Sequence, residues 1–288
     1  ESFTNFEILN KVQLGENSNM LLIFVFIAIV GFSVKAGMFP LHNWLPAAHS
    51  EAPAPASALL SGIIAKAGVF AVIRIIYFAV GTNFLLGTWV QYALIYLSLI
   101  TIIIGSVMAY REKIFKKRLA YSTVSQISYI ILALSIFNQE SYDGALLHVL
   151  FHATIKTLLF LCVGAIIFKT KKTNVDELSG IGKNMPITMI CYTIASLGLV
   201  GIPPTCGFYS KWYIAIGALS ADLGALKYII PIVLLISALL TAGYLLPVAF
   251  KGFFPPKDFK TEKCEPSFLM LLPMLVLALA TFLLVIVK

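Results

Sequence analysis

Four lysines stand inside apolar stretches of this chain: Lys35, Lys66, Lys156 and Lys211. A charge at membrane depth is costly, so where one is kept it marks an ion or proton path. Lys156 closes a ladder of His148, His152 and Lys156, spaced i, i+4 and i+8, which puts all three on one helix face. Imidazole titrates near physiological pH, and a lysine amine withdrawn from water can carry a proton near neutrality. Together these are the parts of a proton relay. Zinc is the competing chemistry for two His at i, i+4, but no HExxH glutamate or third ligand stands nearby, so no metal is expected. No Asp or Glu lies among these cations; every acid falls in a loop, a tail or at a span end. Cations without a buried carboxylate form an incomplete electrostatic system. Upstream sequence or another subunit would complete it, or some of the lysines are neutral.

The segments that must hold these groups are membrane spans. Hydrophobic residues make up 59% of the chain and charged ones 12%, with mean hydropathy +0.93. A soluble domain carries about twice that charge, which excludes one here. The net charge of +8 comes from basic residues in short loops, a topology pattern rather than a nucleic-acid surface. The four cysteines (Cys162, Cys191, Cys206, Cys264) show no CxxC spacing and read as small buried hydrophobes. There is no Cys cluster, haem motif or nucleotide loop, so no cofactor is expected.

At roughly 20 apolar residues per crossing, the chain divides into eight spans, near 20–40, 56–80, 88–110, 118–137, 144–168, 186–219, 227–250 and 267–287. Two carry helix breaks. Gly37 and Pro40 interrupt the first, followed by Pro46, Pro53 and Pro55; Gly201, Pro203, Pro204 and Gly207 interrupt the sixth, which is too long for one crossing. Broken helices beside charges are a device of transporters. Residues 1–19 read as an inter-helix loop at the start of a truncated or processed chain. Basic residues collect after the third span (Arg111, Lys113, Lys116, Lys117, Arg118), the fifth (Lys169, Lys171, Lys172, Lys183) and the seventh (Lys251, Lys257, Lys260, Lys263). Alternation of eight spans puts all three loops on one side, expected to be cytoplasmic. Lys11, Lys227 and Lys288 fall opposite.

The fourth span packs Ser122, Thr123, Ser125, Gln126, Ser128 and Tyr129 into one run. Small polar residues serve helix packing; they also suit a hydrated channel lining, and both can hold. Arg74, close to a span end, reads as snorkelling to the interface. His42 and His49 flank the first break in structural or interfacial positions. Trp44 and Trp89 lie near span ends, where indoles favour the interface.

Four stretches in order, VKAGMFPLHNWLPAAHSEAPAPASALLSGIIAK, RLAYSTVSQISYI, LHVLFHATIKTLLFL and LVGIPPTCGFYSKW, resemble motifs of the antiporter-like, proton-conducting subunits of respiratory complex I. Membrane-bound hydrogenases and multi-subunit cation/proton antiporters share that family. The resemblance implies an all-α integral membrane protein, the C-terminal part of a fourteen-helix fold with two inverted five-helix repeats, each with one broken helix. Residues 20–80 would then be the last two helices of the first half-channel repeat, 88–250 the complete second repeat, and 267–287 the final helix. By the same resemblance Lys35 is the broken-helix lysine of the first half-channel and Lys66 the bridging lysine. His148, His152 and Lys156 form the central relay of the second half-channel, and Lys211 its terminal lysine. The carboxylate partner of Lys35 would lie upstream of Glu1. Two departures stand out. Ala47 occupies a position usually acidic, and Ser61 one that is His in the largest members. With Lys rather than Glu at 211, the likeness is to the shorter D-like and N-like subunits.

The expectation is therefore a proton-translocating subunit in a prokaryotic cell membrane, moving protons through Lys35, Lys66, His148, His152, Lys156 and Lys211, with Ser122, Ser125, Gln126 and Ser128 lining the channel. Its partners would be other membrane subunits, the lipid bilayer and protons, with no nucleic acid and no redox centre of its own. Two alternatives remain: a subunit of a sodium/proton antiporter, which adds sodium as a partner, and a non-pumping scaffold.

Overall fold

A computed structural model describes residues 18–254 and 262–286. The expected loop over 1–19 lies outside the described residues up to residue 17, as do Lys11, Lys257, Lys260 and Lys288. The ten principal helices are α1 (Ser18–Ala36), α2 (Trp44–Glu51), α3 (Ala54–Val80), α4 (Trp89–Arg111), α5 (Phe115–Leu134), α6 (Gln139–Thr170), α7 (Pro186–Val200), α8 (Cys206–Ser220), α9 (Leu226–Phe253) and α10 (Phe268–Leu283). No strand occurs among the described residues. The protein is an all-helical, multi-pass membrane bundle.

Six described helices are long and apolar enough to cross a membrane: α1, α3, α4, α6, α9 and α10. The fourth expected span is different in kind. α5 is too polar to qualify, yet all its residues except Lys116 and Lys117 are buried. It crosses inside protein, between α4 and α6, so its hydroxyls never meet lipid. The sixth expected span is two half-helices, α7 and α8. The first is shorter than drawn from sequence: α1 ends at Ala36, and Gly37 turns the chain at φ +86°. Trp44 then ties α2 back to α1, its Nε1 donating to Val34 O at 2.8 Å. Pro53 and Pro55 do not break α3; Pro53 is its N-cap and Pro55 sits in its first turn.

Two apolar cores divide the bundle along its long axis. One gathers Ile29, Ala65, Leu94, Ile102, Ile130, Ala145, Ile214 and Leu234; the other gathers Ala58, Ala109, Leu119, Ile155, Leu159, Tyr192, Cys206 and Tyr244. On six helices the switch between cores falls on polar residues: Ser61 of α3, Ser106 of α4, Ser122 to Gln126 of α5, His148 of α6, Ser210 and Lys211 of α8, and Ser237 with Thr241 of α9. A polar layer thus crosses the bundle between two hydrophobic ones. The basic loops cap the second core. Lys113 and Asp176 pair there at 3.9 Å, and Lys117 with Glu112 at 3.5 Å. These are the ion pairs among the described residues, and neither is buried.

Candidate functional site: a buried lysine and histidine line

The polar layer holds the sequence's candidate residues in a row. Lys66 is 3% exposed and donates to the carbonyl of Ser61. That carbonyl lies in a π-helical turn, Leu60–Ile64, whose wider winding alters the regular backbone bonding. The Ser61 hydroxyl meets Thr123 Oγ1 of α5 at 2.9 Å. One residue away, Ser122 receives the ammonium of Lys156, which also donates to Leu119 O at 2.9 Å. Lys66 and Lys156 are therefore joined through adjacent residues of α5.

From Lys156 the ladder runs along α6 as its spacing required. The His152 and His148 rings are nearly parallel, 6.0 Å between centroids at 17°. His148 Nδ1 pairs with Ser210 Oγ of α8 at 2.8 Å. On its other side Tyr129 of α5 stacks at 5.6 Å and 16°. Lys211 Nζ sits 5.4 Å from the centre of that same Tyr129 ring, a cation–π contact. Tyr129 thus bridges the ladder to the terminal lysine. Both nitrogens of His152, Nε2 of His148 and both amide atoms of Gln126 are buried without a protein partner. Buried polar groups are seldom left so, and water is the usual answer.

Lys211 projects from the first turns of α8 back over the break. It donates to Leu199 O at 2.6 Å and Val200 O at 2.9 Å, the last carbonyls of α7. Those groups have no intrahelical donor, since a helix leaves its final carbonyls free. Gly201 ends α7 at φ +89°, and the two prolines follow within the break. Gly207 lies inside α8 rather than at the break. A Cβ there would stand 1.9 Å from Gly198 O, so glycine lets the half-helices touch backbone to backbone.

The remaining candidates separate. Lys35, in the last turn of α1, is exposed, and no hydrogen bond or ion pair links it to another described residue. Arg74 is exposed at the outer end of α3. Ser125 joins Ser106 and Ser237 in a hydroxyl cluster at 2.9 and 3.4 Å, and Ser128 bonds back to Val124 O. Ser122 and Gln126 are thus the members of the fourth-span run that face the ladder's polar groups or stand unpaired. His49 stacks on Phe160 at 4.6 Å and 11°, a packing role that agrees with the structural reading. No cluster of metal-ligand side chains occurs among the described residues. Sequence reasoning did not pick out Ser210 or Ser237, which come from helices distant in the chain and carry no spacing signal.

A sequence profile of the NADH:quinone oxidoreductase/Mrp antiporter transmembrane family matches residues 1–254. The chain belongs to this family. Among curated proteins, NADH-quinone oxidoreductase subunit N of Desulforudis audaxviator is 37% identical over 250 residues, covering 86% of this chain and 49% of that one. NAD(P)H-quinone oxidoreductase chain 4 of Acaryochloris marina is 31% identical over 234 residues, covering 80% and 43%. The chain thus spans about half the length of these family relatives. Among solved structures, an archaeal membrane-bound sulfane sulfur reductase superposes with TM-score 0.84 at 31% identity, covering 97% of this chain and 46% of that one. Respiratory complex I of Thermus thermophilus gives 0.81 at 26%, covering 96% and 56%. The Mrp complex of Dietzia sp. gives 0.82 at 22% identity, covering 92% and 56%, a likeness of fold alone. All three are multi-subunit assemblies.

Proposed function

We propose that this chain is a proton-translocating membrane subunit of a complex I-like assembly, and that Lys66, Lys156, His152, His148 and Lys211 form its relay. The observation that carries the reading is a row of polar side chains from Ser61 to Lys211, joined by hydrogen bonds on either side of His152 and by ring contacts along it, at the level where the two apolar cores meet. A proton on Lys156 passes to His152 and His148 through water held by their unpaired nitrogens. From His148 it moves by Ser210 to Lys211, past the Tyr129 ring that touches both. Like charges in low dielectric repel strongly. Protonating Lys66 therefore disfavours protonation of Lys156, which couples the bridging lysine to the ladder.

In the same reading, residues 20–80 close the first half-channel repeat, 88–250 make the second, and 267–287 add the final helix. Lys35 is the first half-channel's lysine and finds its carboxylate outside the described residues. The protein sits in the cell membrane with the basic loops cytoplasmic, against other membrane subunits.

The test is proton uptake by inverted membrane vesicles containing the full complex, with reductant supplied and sodium varied. Uptake that requires reductant and ignores sodium supports the reading. Proton movement driven by a sodium gradient alone would instead make the chain an antiporter subunit.

A further inference from the structure

The basic-loop end of the bundle carries an apolar groove that the relay does not use. It offers about 410 Å³ between the start of α3, the C-terminal part of α6 and the first turn of α10. Its walls include Pro53 and Pro55, Leu161 and Phe168, and Met270. A helix start ordinarily leaves backbone N–H groups unpaired. The two prolines bring none, so that wall can face hydrocarbon without stranding their donors. The floor closes where α3 meets α6. A Cβ on Gly164 would overlap that of Ala54, so glycine lets the two helices touch there.

Two cations line the same groove, Lys116 at the start of α5 and Lys171 at the end of α6. Lys116 Nζ donates to Ser50 O at 3.0 Å and to Ala52 O at 2.8 Å. An ammonium has three donors, so one is left for a ligand. Lys171 is exposed, and its Nζ lies 5.5 Å from the centre of the Phe168 ring. No carboxylate lines the groove; Glu51, next to Ser50 in the chain, is exposed outside it. Leu161 stands ten residues before Lys171 on α6, about 15 Å deeper along the helix. The groove is therefore cationic at the basic-loop end and apolar below it. Its volume is about that of one helical turn with side chains. That is too little for a docked helix, and it suits a chain one methylene wide.

We propose that this groove holds one acyl chain of an anionic phospholipid, with the phosphate received by Lys116 and Lys171. Basic pockets between membrane helices recognise acidic headgroups in this way. The lipid would fasten α3, α6 and α10 together at the basic-loop end. Its binding is independent of proton movement through Lys156.

The test uses the full complex in phosphatidylcholine vesicles that contain a trace of phosphatidylglycerol with a photoactivatable group in its acyl chain. A second preparation carries the same tail on phosphatidylcholine. Cross-linked peptides are then mapped by mass spectrometry. Peptides with residues 161–168 and Met270 should be labelled by the phosphatidylglycerol probe in clear excess over the phosphatidylcholine one. Lys171→Gln, at an exposed position, should lower that labelling about fivefold. Leu161→Trp, which fills the groove from within, should lower it with both lysines in place. Equal labelling by the two probes would overturn the proposal, since the groove would then hold ordinary boundary lipid. Unchanged labelling in Lys171→Gln would also overturn it. So would a groove left unlabelled in the assembled complex, because a neighbouring subunit would then cover it.

Discussion

Gly207→Ala is the sharpest probe of the break that holds Lys211. The added Cβ would stand 1.9 Å from Gly198 O, against a floor of 3.0 Å below which real Cβ contacts essentially never occur. The obstacle is a helix carbonyl, which cannot turn aside as a side chain can. The half-helices α7 and α8 must therefore part by about 1 Å, and overpacking of that kind costs about 1–3 kcal/mol. The same displacement pulls Lys211 from Leu199 O and Val200 O, now 2.6 and 2.9 Å away. Charge-assisted hydrogen bonds lengthened by about 1 Å are effectively lost. Thermal unfolding of the full-length protein in detergent measures the first effect, and vesicle proton uptake the second. Gly31→Ala is the control, because a Cβ there meets nothing within 4 Å; it should be neutral or slightly stabilising. A Gly207→Ala protein as stable and active as wild type would refute the reasoning that backbone contact sets the geometry of the break.

Tyr129→Phe should cost about 1 kcal/mol through the lost bond to Leu234 O yet keep most transport, since the ring faces against His148 and Lys211 remain; Tyr129→Leu should lose both, read by unfolding and by vesicle uptake. Glu265→Ala should destabilise by about 1–2 kcal/mol in a melting experiment, because its carboxylate caps α7 by accepting from Ile187 N and from Thr188 N and Oγ1. Lys116→Met should cost a similar amount, leaving the carbonyls of Ser50 and Ala52 at the end of α2 without their cation. Ser210→Ala should slow proton uptake without a comparable loss of stability, because it removes the hydroxyl between His148 and α8.

Spacing made the ladder legible. His148, His152 and Lys156 had to share a face once α6 was a helix, and their parallel rings follow from that. Composition likewise marked the break, since Gly201 and two prolines cannot continue a helix, and Lys211 close beyond them pointed to a functional terminus. Other features depend on contacts between segments far apart. The π turn that lets Ser61 O receive Lys66 has no sequence signature, and Ser106, Ser125 and Ser237 meet only because α4, α5 and α9 pack together. The fourth span shows why hydropathy alone misleads: α5 is polar because protein surrounds it, so the membrane never tests its side chains. Lys35 was legible as a cation in an apolar stretch. Its exposure, without a partner among the described residues, could not be read from the chain.

The way Lys211 is neutralised has an electrical consequence. Its ammonium is received by two backbone carbonyls and the face of a phenol ring, with no carboxylate of the described residues paired to it. A buried carboxylate would be stranded as a lone anion each time the amine released its proton, and an uncompensated buried charge is severely penalised. Carbonyl dipoles at a helix end carry the needed negative potential without carrying a whole charge. When the amine is neutral they lose an attraction but leave no net charge behind. If Lys211 carries protons as proposed, the site would swing between one positive charge and none, and a neighbouring cation along the row would sense the amplitude of that swing.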